Sequence, residues 1–227
     1  MKTALVCIHG IMGSPRQFDP VGVRLSSCCD VISPLLPGHG GDARNFAKSS
    51  MEQWEQAVEN ILSSACAEYD RVILLGHSMG GLLLWKAAMQ NPVAGLITVA
   101  MPLRFRYMPH ALRNSLKVSL TQIPCVSREM CWVDPHPLYA CIGWIPRYLE
   151  LFRKAREIKG CLRQIQAPVR CFFFEQDELC SPASARHIPP QIPAKMLSSS
   201  RHSEWTEETY DAIADAVLEM MNEKRDA

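Results

Sequence analysis

One pentapeptide and its flanks restrict the fold of this chain more than any other feature. Residues 76–80 read Gly-His-Ser-Met-Gly and directly follow the run Arg-Val-Ile-Leu-Leu at 71–75. A helical pattern comes next, so the order strand, sharp turn, helix is predicted. A serine in such a turn needs small neighbours, and Gly76 and Gly80 supply them. The pattern predicts that the Ser78 hydroxyl is exposed at a helix N-terminus, where a developing oxyanion is favoured.

The pentapeptide alone is a weak signal, because it occurs by chance in roughly one chain in twenty of this length. A serine that merely caps a helix in a turn would give the same pattern. The strand before the turn, the helix after it and the rest of the chain favour a catalytic serine.

Six short apolar runs alternate with amphipathic helical patterns along the chain. Such alternation predicts an α/β fold, with a mostly parallel sheet of about six strands and helices on both faces. Reactive groups in such sheets lie at the carboxyl ends of the strands. The predicted strands are Thr3–Ile8, Asp30–Leu35, Arg71–Leu75, Gly95–Ala100, Val169–Phe174 and Ala194–Leu197.

Residues 102–167 interrupt this alternation and are too long for a plain loop. They contain 11 Lys/Arg and 4 Asp/Glu, a local balance of +7, while the whole chain carries +1. We predict a small, basic helical lid inserted into an acidic core formed by residues 1–101 and 168–227.

A serine hydroxyl needs an adjacent base, which a third group must orient. After this kind of turn the expected chain order is serine, then acid, then histidine. Asp177 follows the fifth predicted strand and is the expected acid, with Glu178 as the alternative. A solvated acidic loop would show the same residues.

Two histidines follow the predicted lid, and one of them is the expected base. His187 falls within a predicted helix, whereas His202 follows the last strand and precedes the final helix. We therefore predict His202, although a histidine of a surface loop would look the same.

Two backbone N–H groups are needed to hold the oxyanion of an acyl-transfer reaction. The amide of Met79, the residue after the serine, is one expected donor. The loop after the first strand supplies the other, from Ile11 or alternatively Met12. Met12 and the lid aromatics Trp144 and Tyr148 are the predicted pocket residues.

Five segments of the chain carry a resemblance to a known family: residues 9–14, 37–40, 76–81, 144–152 and 176–185. Together they resemble the α/β-hydrolase fold, and more narrowly the compact bacterial carboxylesterase/monoacylglycerol lipase group. The resemblance implies an ester hydrolase with a Ser-His-Asp triad and no cofactor, and a second oxyanion donor after the His-Gly pair, which matches Ile11. The lid is similar to the short helical cap of that group.

The remaining composition argues against several other classes. A net charge of +1 gives no general attraction to nucleic acid or to a membrane, and no apolar run reaches membrane-spanning length. The N-terminal run at 4–8 is too short for a signal peptide. The ten cysteines lack zinc-site spacing, so we expect no metal and read them as small, reduced, buried side chains of a cytoplasmic protein.

The predicted function is therefore a serine carboxylesterase for small to medium acyl chains. Its expected partner is a small-molecule ester, and the expected state is a monomer or weak homodimer without stable membrane insertion. One alternative is a thioesterase or monoacylglycerol/lysophospholipid lipase that uses the basic lid to dock an anionic substrate. A second is a non-catalytic ligand-binding protein on a hydrolase scaffold.

Overall fold

The computed structural model describes residues 1–41, 43–106, 120–121 and 138–223, and in these residues six strands form one sheet. Every pairing is parallel, in the order β2-β1-β3-β4-β5-β6. The α/β prediction is confirmed, and the sheet is parallel throughout. The strands are β1 Thr3–Ile8, β2 Asp30–Ile32, β3 Arg71–His77, β4 Gly95–Val99, β5 Val169–Phe174 and β6 Ala194–Leu197.

Three of the predicted strands differ from the structure at their carboxyl ends. The β2 strand ends at Ile32 rather than Leu35, because Pro34 has no N–H to donate to the ladder and β2 pairs only with β1. The β3 strand runs two residues further, through His77, since Gly76 pairs with Ile8. The β4 strand stops one residue earlier.

Helices cover both faces of the sheet and bury two apolar clusters. The central strands β1 and β3 are buried on both sides, which explains why they read as continuous apolar runs. Helices α3, α4 and α5 lie over one face, whereas α1 and α6 lie over the other. The helices are α1 Asp19–Leu25, α2 Ala43–Lys48, α3 Met51–Glu68, α4 Met79–Gln90, α5 Leu138–Cys161 and α6 Glu207–Asn222.

Part of the predicted lid is visible in helix α5, which is fastened to the core. Its residues Leu151 and Ile158 are buried in the same cluster as α3 and α4. Its Lys154 is buried and forms ion pairs with Glu55 of α3 and with Glu157. Much of the segment 102–167, at 107–119 and 122–137, lies outside the described residues, so the lid and its boundaries stay a prediction.

The described cysteines only partly match the expectation that they are buried. Cys7, Cys171 and Cys180 are buried, and burial raises the pKa of Cys171 to about 12. Cys28 is exposed, because it lies in the turn between α1 and β2 rather than in a strand or a helix. Among the described residues, no helix is both long and apolar enough to cross a membrane.

Candidate active site

The turn at Ser78 has the strained backbone that the pentapeptide predicts. Ser78 has φ +51° and ψ −118°, a conformation that costs roughly 1–3 kcal/mol for a residue with a Cβ. A Cβ at Gly76 would lie 2.6 Å from the backbone of Gly81, and one at Gly80 would overlap the Ile8 carbonyl. Both glycines are therefore required by close backbone approach, and helix α4 begins directly after the serine.

Three side chains from three strand ends meet at this turn. The His202 Nε2 atom lies 3.0 Å from Ser78 Oγ, and its Nδ1 atom lies 2.8 Å and 3.0 Å from the Asp177 carboxylate oxygens. A carboxylate can only accept, so Nδ1 carries the proton of the neutral ring and Nε2 is free to accept from the serine hydroxyl. This is the arrangement of a nucleophile, a base and an orienting acid.

The three groups are withdrawn from water, and this corrects one prediction. Ser78 is only 4% exposed, His202 4% and Asp177 1%. The expected exposed hydroxyl is wrong, because the His202 ring covers Ser78 on one side and Gly10 approaches it on another. A Cβ on Gly10 would lie 3.0 Å from that of Ser78.

The loop after β5 shows how the two neighbouring carboxylates differ. Besides His202, Asp177 Oδ1 accepts the backbone N–H groups of Leu179 at 2.8 Å and Cys180 at 2.6 Å. Glu178 instead accepts the backbone N–H of His202 at 3.4 Å and does not contact the ring through that bond. Of the two candidate acids, Asp177 is therefore the one that can orient the imidazole.

The loop that carries His202 is held by hydroxyl groups. The buried Ser200 hydroxyl lies 2.8 Å from that of Thr209 and accepts the backbone N–H of Thr206 at 2.9 Å. The other candidate base, His187, ends the 3-10 helix Pro182–His187. It is His202 that the fold brings to Ser78.

The loop after β1 forms a tight turn beside the serine. The Gly13 N–H donates to the Gly10 carbonyl at 2.9 Å, and Met12 has φ +55°. Ile11 lies in the middle of this turn. Met79 is the first residue of α4, and the first N–H groups of a helix have no partner within it. Because β1 and β3 are paired, the loop that contains Ile11 and the helix start that contains Met79 follow neighbouring strands at one edge of the sheet.

Buried histidines support this turn from behind. The His9 Nε2 atom accepts the N–H of Leu36 at 3.1 Å, and its Nδ1 atom lies 2.9 Å from the Gly10 carbonyl oxygen. The rings of His9 and His39 meet edge to face, with their centroids 4.8 Å apart. Burial lowers the pKa of both histidines to about 4, so both are neutral near pH 7. His39 thus belongs to a packed turn, with Nδ1 3.2 Å from the Pro37 carbonyl.

The predicted pocket residues take two different positions. The Tyr148 hydroxyl of α5 donates to Met12 Sδ at 3.2 Å, which brings this helix against the loop after β1. Trp144 is 6% exposed and packs edge to face on Phe46 at 6.2 Å. Tyr148 therefore contacts the loop after β1, whereas Trp144 packs on Phe46, and the role of all three residues in a pocket stays a prediction.

One neighbour of the site was not singled out from the sequence. His77, the second residue of the pentapeptide, is 3% exposed, and its Nε2 atom lies 2.8 Å from the His202 carbonyl oxygen. A glycine-flanked serine motif does not specify this residue, and nothing in the local pattern joins it to a loop 125 positions away. Only the folded chain reveals the contact.

Known proteins agree with the fold. A solved structure described with the metagenome-derived lipolytic enzymes LipS and LipT superimposes with a TM-score of 0.77, at 18% identity over 98% of this chain and 94% of that one. A soluble variant of the Saccharomyces cerevisiae monoglyceride lipase gives 0.71, at 14% identity over 98% and 86%. At such identities the likeness shows the fold alone.

Sequence relatives are matched over a shorter stretch. An uncharacterized Mycobacterium tuberculosis protein is 32% identical over 89 residues, which is 39% of this chain and 26% of that relative. The chain thus spans about a quarter of the length of this curated relative. The model of the alpha/beta hydrolase family matches residues 5–221, nearly the whole chain. The chain therefore belongs to the alpha/beta hydrolase family.

Proposed function

We propose that this protein is a serine carboxylesterase that hydrolyses small-molecule carboxylic esters with small to medium acyl chains. The observation that carries the proposal is the continuous hydrogen-bonded series from Ser78 through His202 to Asp177, with a 3.0 Å contact at the nucleophile. The protein would act in the cytoplasm as a monomer or weak homodimer, without a cofactor.

Acylation begins when the Ser78 oxygen attacks the carbonyl carbon of the ester. The hydroxyl proton moves to His202 Nε2 as the new C–O bond forms, and Asp177 stabilises the resulting imidazolium. The carbonyl electron pair moves onto its oxygen, which accepts hydrogen bonds from the amides of Ile11 and Met79. When the intermediate collapses, His202 returns the proton to the departing alcohol and an acyl-serine remains.

Deacylation repeats these steps with water as the nucleophile. His202 takes a proton from water, the hydroxide adds to the acyl carbonyl, and the carboxylic acid leaves as Ser78 recovers its proton. Each oxyanion donor contributes roughly 10²–10³ in rate in enzymes of this kind. The burial of the three side chains supports the proposal, because the attraction between the imidazolium and the Asp177 carboxylate is stronger where water is excluded.

The solved neighbours are consistent with this chemistry. They include a structure described with the lipolytic enzymes LipS and LipT and a monoglyceride lipase from Saccharomyces cerevisiae. Their likeness to this chain shows the fold alone, so the ester substrate remains part of the proposal, which rests on the geometry of the three side chains.

The direct test is turnover of p-nitrophenyl esters from acetate to palmitate. We expect the turnover rate to reach a maximum at one acyl-chain length and to be abolished by Ser78→Ala. Ser64→Ala, the same substitution at an exposed serine of α3, should leave turnover unchanged. Ester turnover by Ser78→Ala at the wild-type rate would refute the assignment. A folded wild-type protein inactive across the series would favour the non-catalytic alternative.

A second candidate is a thioesterase or a monoacylglycerol/lysophospholipid lipase that docks an anionic substrate. It is favoured by the exposed cations at the end of α5 and beyond, namely Arg153, Arg156, Lys159 and Arg163. Attraction between exposed charges is screened over about 10 Å at 0.1 M salt. A steep fall of kcat/KM with added salt on an anionic substrate, but not on p-nitrophenyl butyrate, would favour this reading.

A further inference from the structure

The carbonyl oxygen of His202 receives two side-chain donors from different parts of the fold. His77 Nε2 lies 2.8 Å from it and Trp205 Nε1 lies 3.2 Å from it. A carbonyl oxygen can only accept, so His77 Nε2 and Trp205 Nε1 must each carry a hydrogen. The backbone of the proposed base is therefore held from two directions.

The tautomer of His77 follows from its surroundings. The ring is buried, and burial holds the pKa of His77 well below the usual value for histidine. A neutral ring with its proton on Nε2 has an accepting Nδ1 atom. In the assigned orientation of the Gln17 amide, it is the accepting Oε1 atom that lies 3.2 Å from Nδ1. The two ends of an amide exchange by a half turn, so Gln17 can offer its NH₂ group there.

The His77 ring also packs against the base itself. Its centroid lies 4.8 Å from the His202 ring and 5.2 Å from the Trp205 ring, the latter in an edge-to-face contact. A Cβ on Gly10 would lie 3.2 Å from His77 Nδ1. His77 thus joins, through one side chain, the loop after β1, the turn at the nucleophile and the loop of the base.

We propose that His77 is a positioning residue for the reaction: its Nε2–H, together with the Trp205 indole N–H, fixes the His202 backbone so that the imidazole reaches both Ser78 and Asp177. This inference rests on the proposed function. His77 precedes Ser78 directly, so the base is tied to the peptide that carries the nucleophile. A shift of the His202 backbone is therefore transmitted to the peptide that carries Ser78, and a shift of that peptide is transmitted to His202.

Small displacements matter here because proton transfer needs the 3.0 Å contact between His202 and Ser78. A misplacement of about 1 Å can cost on the order of 10²-fold in rate. Because the Nε2–H of His77 is used by the His202 carbonyl, we expect no hydrogen bond from this group to the substrate. Its loss should therefore lower kcat and leave KM nearly unchanged.

The test compares two substitutions at position 77. His77→Met removes the donor and keeps an apolar side chain, and we expect kcat to fall by roughly 10- to 100-fold with KM within about twofold. His77→Gln restores an N–H close to the position of Nε2, and we expect it to recover kcat to within about fivefold of wild type. Val217→Ala, a core truncation in α6, is the control for stability loss and should leave kcat unchanged.

Trp205→Phe provides an independent route that keeps an aromatic ring in place. It removes the second donor, so kcat should fall with KM unchanged, and the loss in His77→Met/Trp205→Phe should differ from the product of the single losses because both act on one carbonyl. If His77→Met does not fold, Trp205→Phe and His77→Gln carry the test.

The outcomes separate this inference from the proposed function. A wild-type protein without ester turnover, or an active Ser78→Ala variant, overturns the proposed function. Wild-type kcat in a folded His77→Met variant, with Ser78→Ala inactive, overturns only the positioning role. The positioning role also fails if His77→Gln loses as much kcat as His77→Met, or if Val217→Ala lowers kcat as much at equal loss of Tm.

Discussion

The buried pair His9 and His39 should make the fold lose stability in mild acid. Both rings are neutral in the folded protein, with their pKa lowered by burial to about 4 from 6.5. The unfolded chain therefore binds more protons between pH 6.5 and pH 4, and the free energy of unfolding falls as the pH is lowered through that window. Above pH 6.5 the stabilising contribution is fully present.

The size of the effect follows from those values. Each histidine should remove about 2 kcal/mol of unfolding free energy between pH 7 and pH 5, so the pair removes about 4 kcal/mol if the sites act independently. Their rings meet at 4.8 Å, and a charge on one opposes a charge on the other, which makes the second protonation harder. Buried His77 adds to the loss in the same direction.

Urea denaturation at pH 7, 6 and 5 measures this effect directly. His39→Phe keeps a ring beside Phe46 and Trp54 but cannot be protonated, so its loss of stability between pH 7 and pH 5 should be about 2 kcal/mol smaller than that of wild type. His187→Phe is the comparison at a partly buried site. Burial also lowers the pKa of His187, so this variant should reduce the pH dependence in the same direction, but by less than His39→Phe. Equal slopes in His39→Phe and wild type would refute the reasoning.

Three further predictions concern the site and its supports. Asp177→Asn should lower kcat by about 10³- to 10⁴-fold, because the amide favours the wrong tautomer of His202. Steady-state kinetics compares it with Glu178→Gln, which should change kcat less than about tenfold. Gly80→Ala should lower Tm sharply in a thermal melt, since its Cβ would meet backbone atoms of β1, and a wild-type Tm would contradict this close approach of the two backbones. Glu55→Gln should reduce the free energy of unfolding by about 2 kcal/mol, because Lys154 stays buried and Glu157 is its one remaining ion-pair partner among the described residues. No change in urea denaturation would contradict it.

The strands could be predicted because each is an apolar run in a sheet covered on both faces. Their ends could be predicted less well, since they depend on pairing rather than composition. Pro34 shortens the edge strand, and the pairing of Ile8 with Gly76 lengthens β3 into the pentapeptide. The same pairing places the loop after β1 beside Ser78. The order of residues along the chain does not predict this neighbourhood.

The three side chains of the proposed triad could be predicted from their order along the chain, since parallel strands bring their carboxyl ends to one edge. The choice between Asp177 and Glu178 needed the structure, because neighbouring residues of a loop point in different directions. The contact between His77 and His202 could not be predicted, since the partner of His77 is a backbone carbonyl and any residue could have supplied it. The burial of Ser78 also differs from the prediction, because it depends on the later loop that carries His202.

Covalent labelling by a fluorophosphonate tests the central claim most directly, since only an activated serine displaces its fluoride at a useful rate. Mass spectrometry of the digested protein should find one phosphonyl group, on the peptide that contains Ser78, and ester turnover should fall in proportion to labelling. His202→Ala should react much more slowly. An adduct at another residue, or full ester turnover by protein labelled completely at Ser78, would contradict the account.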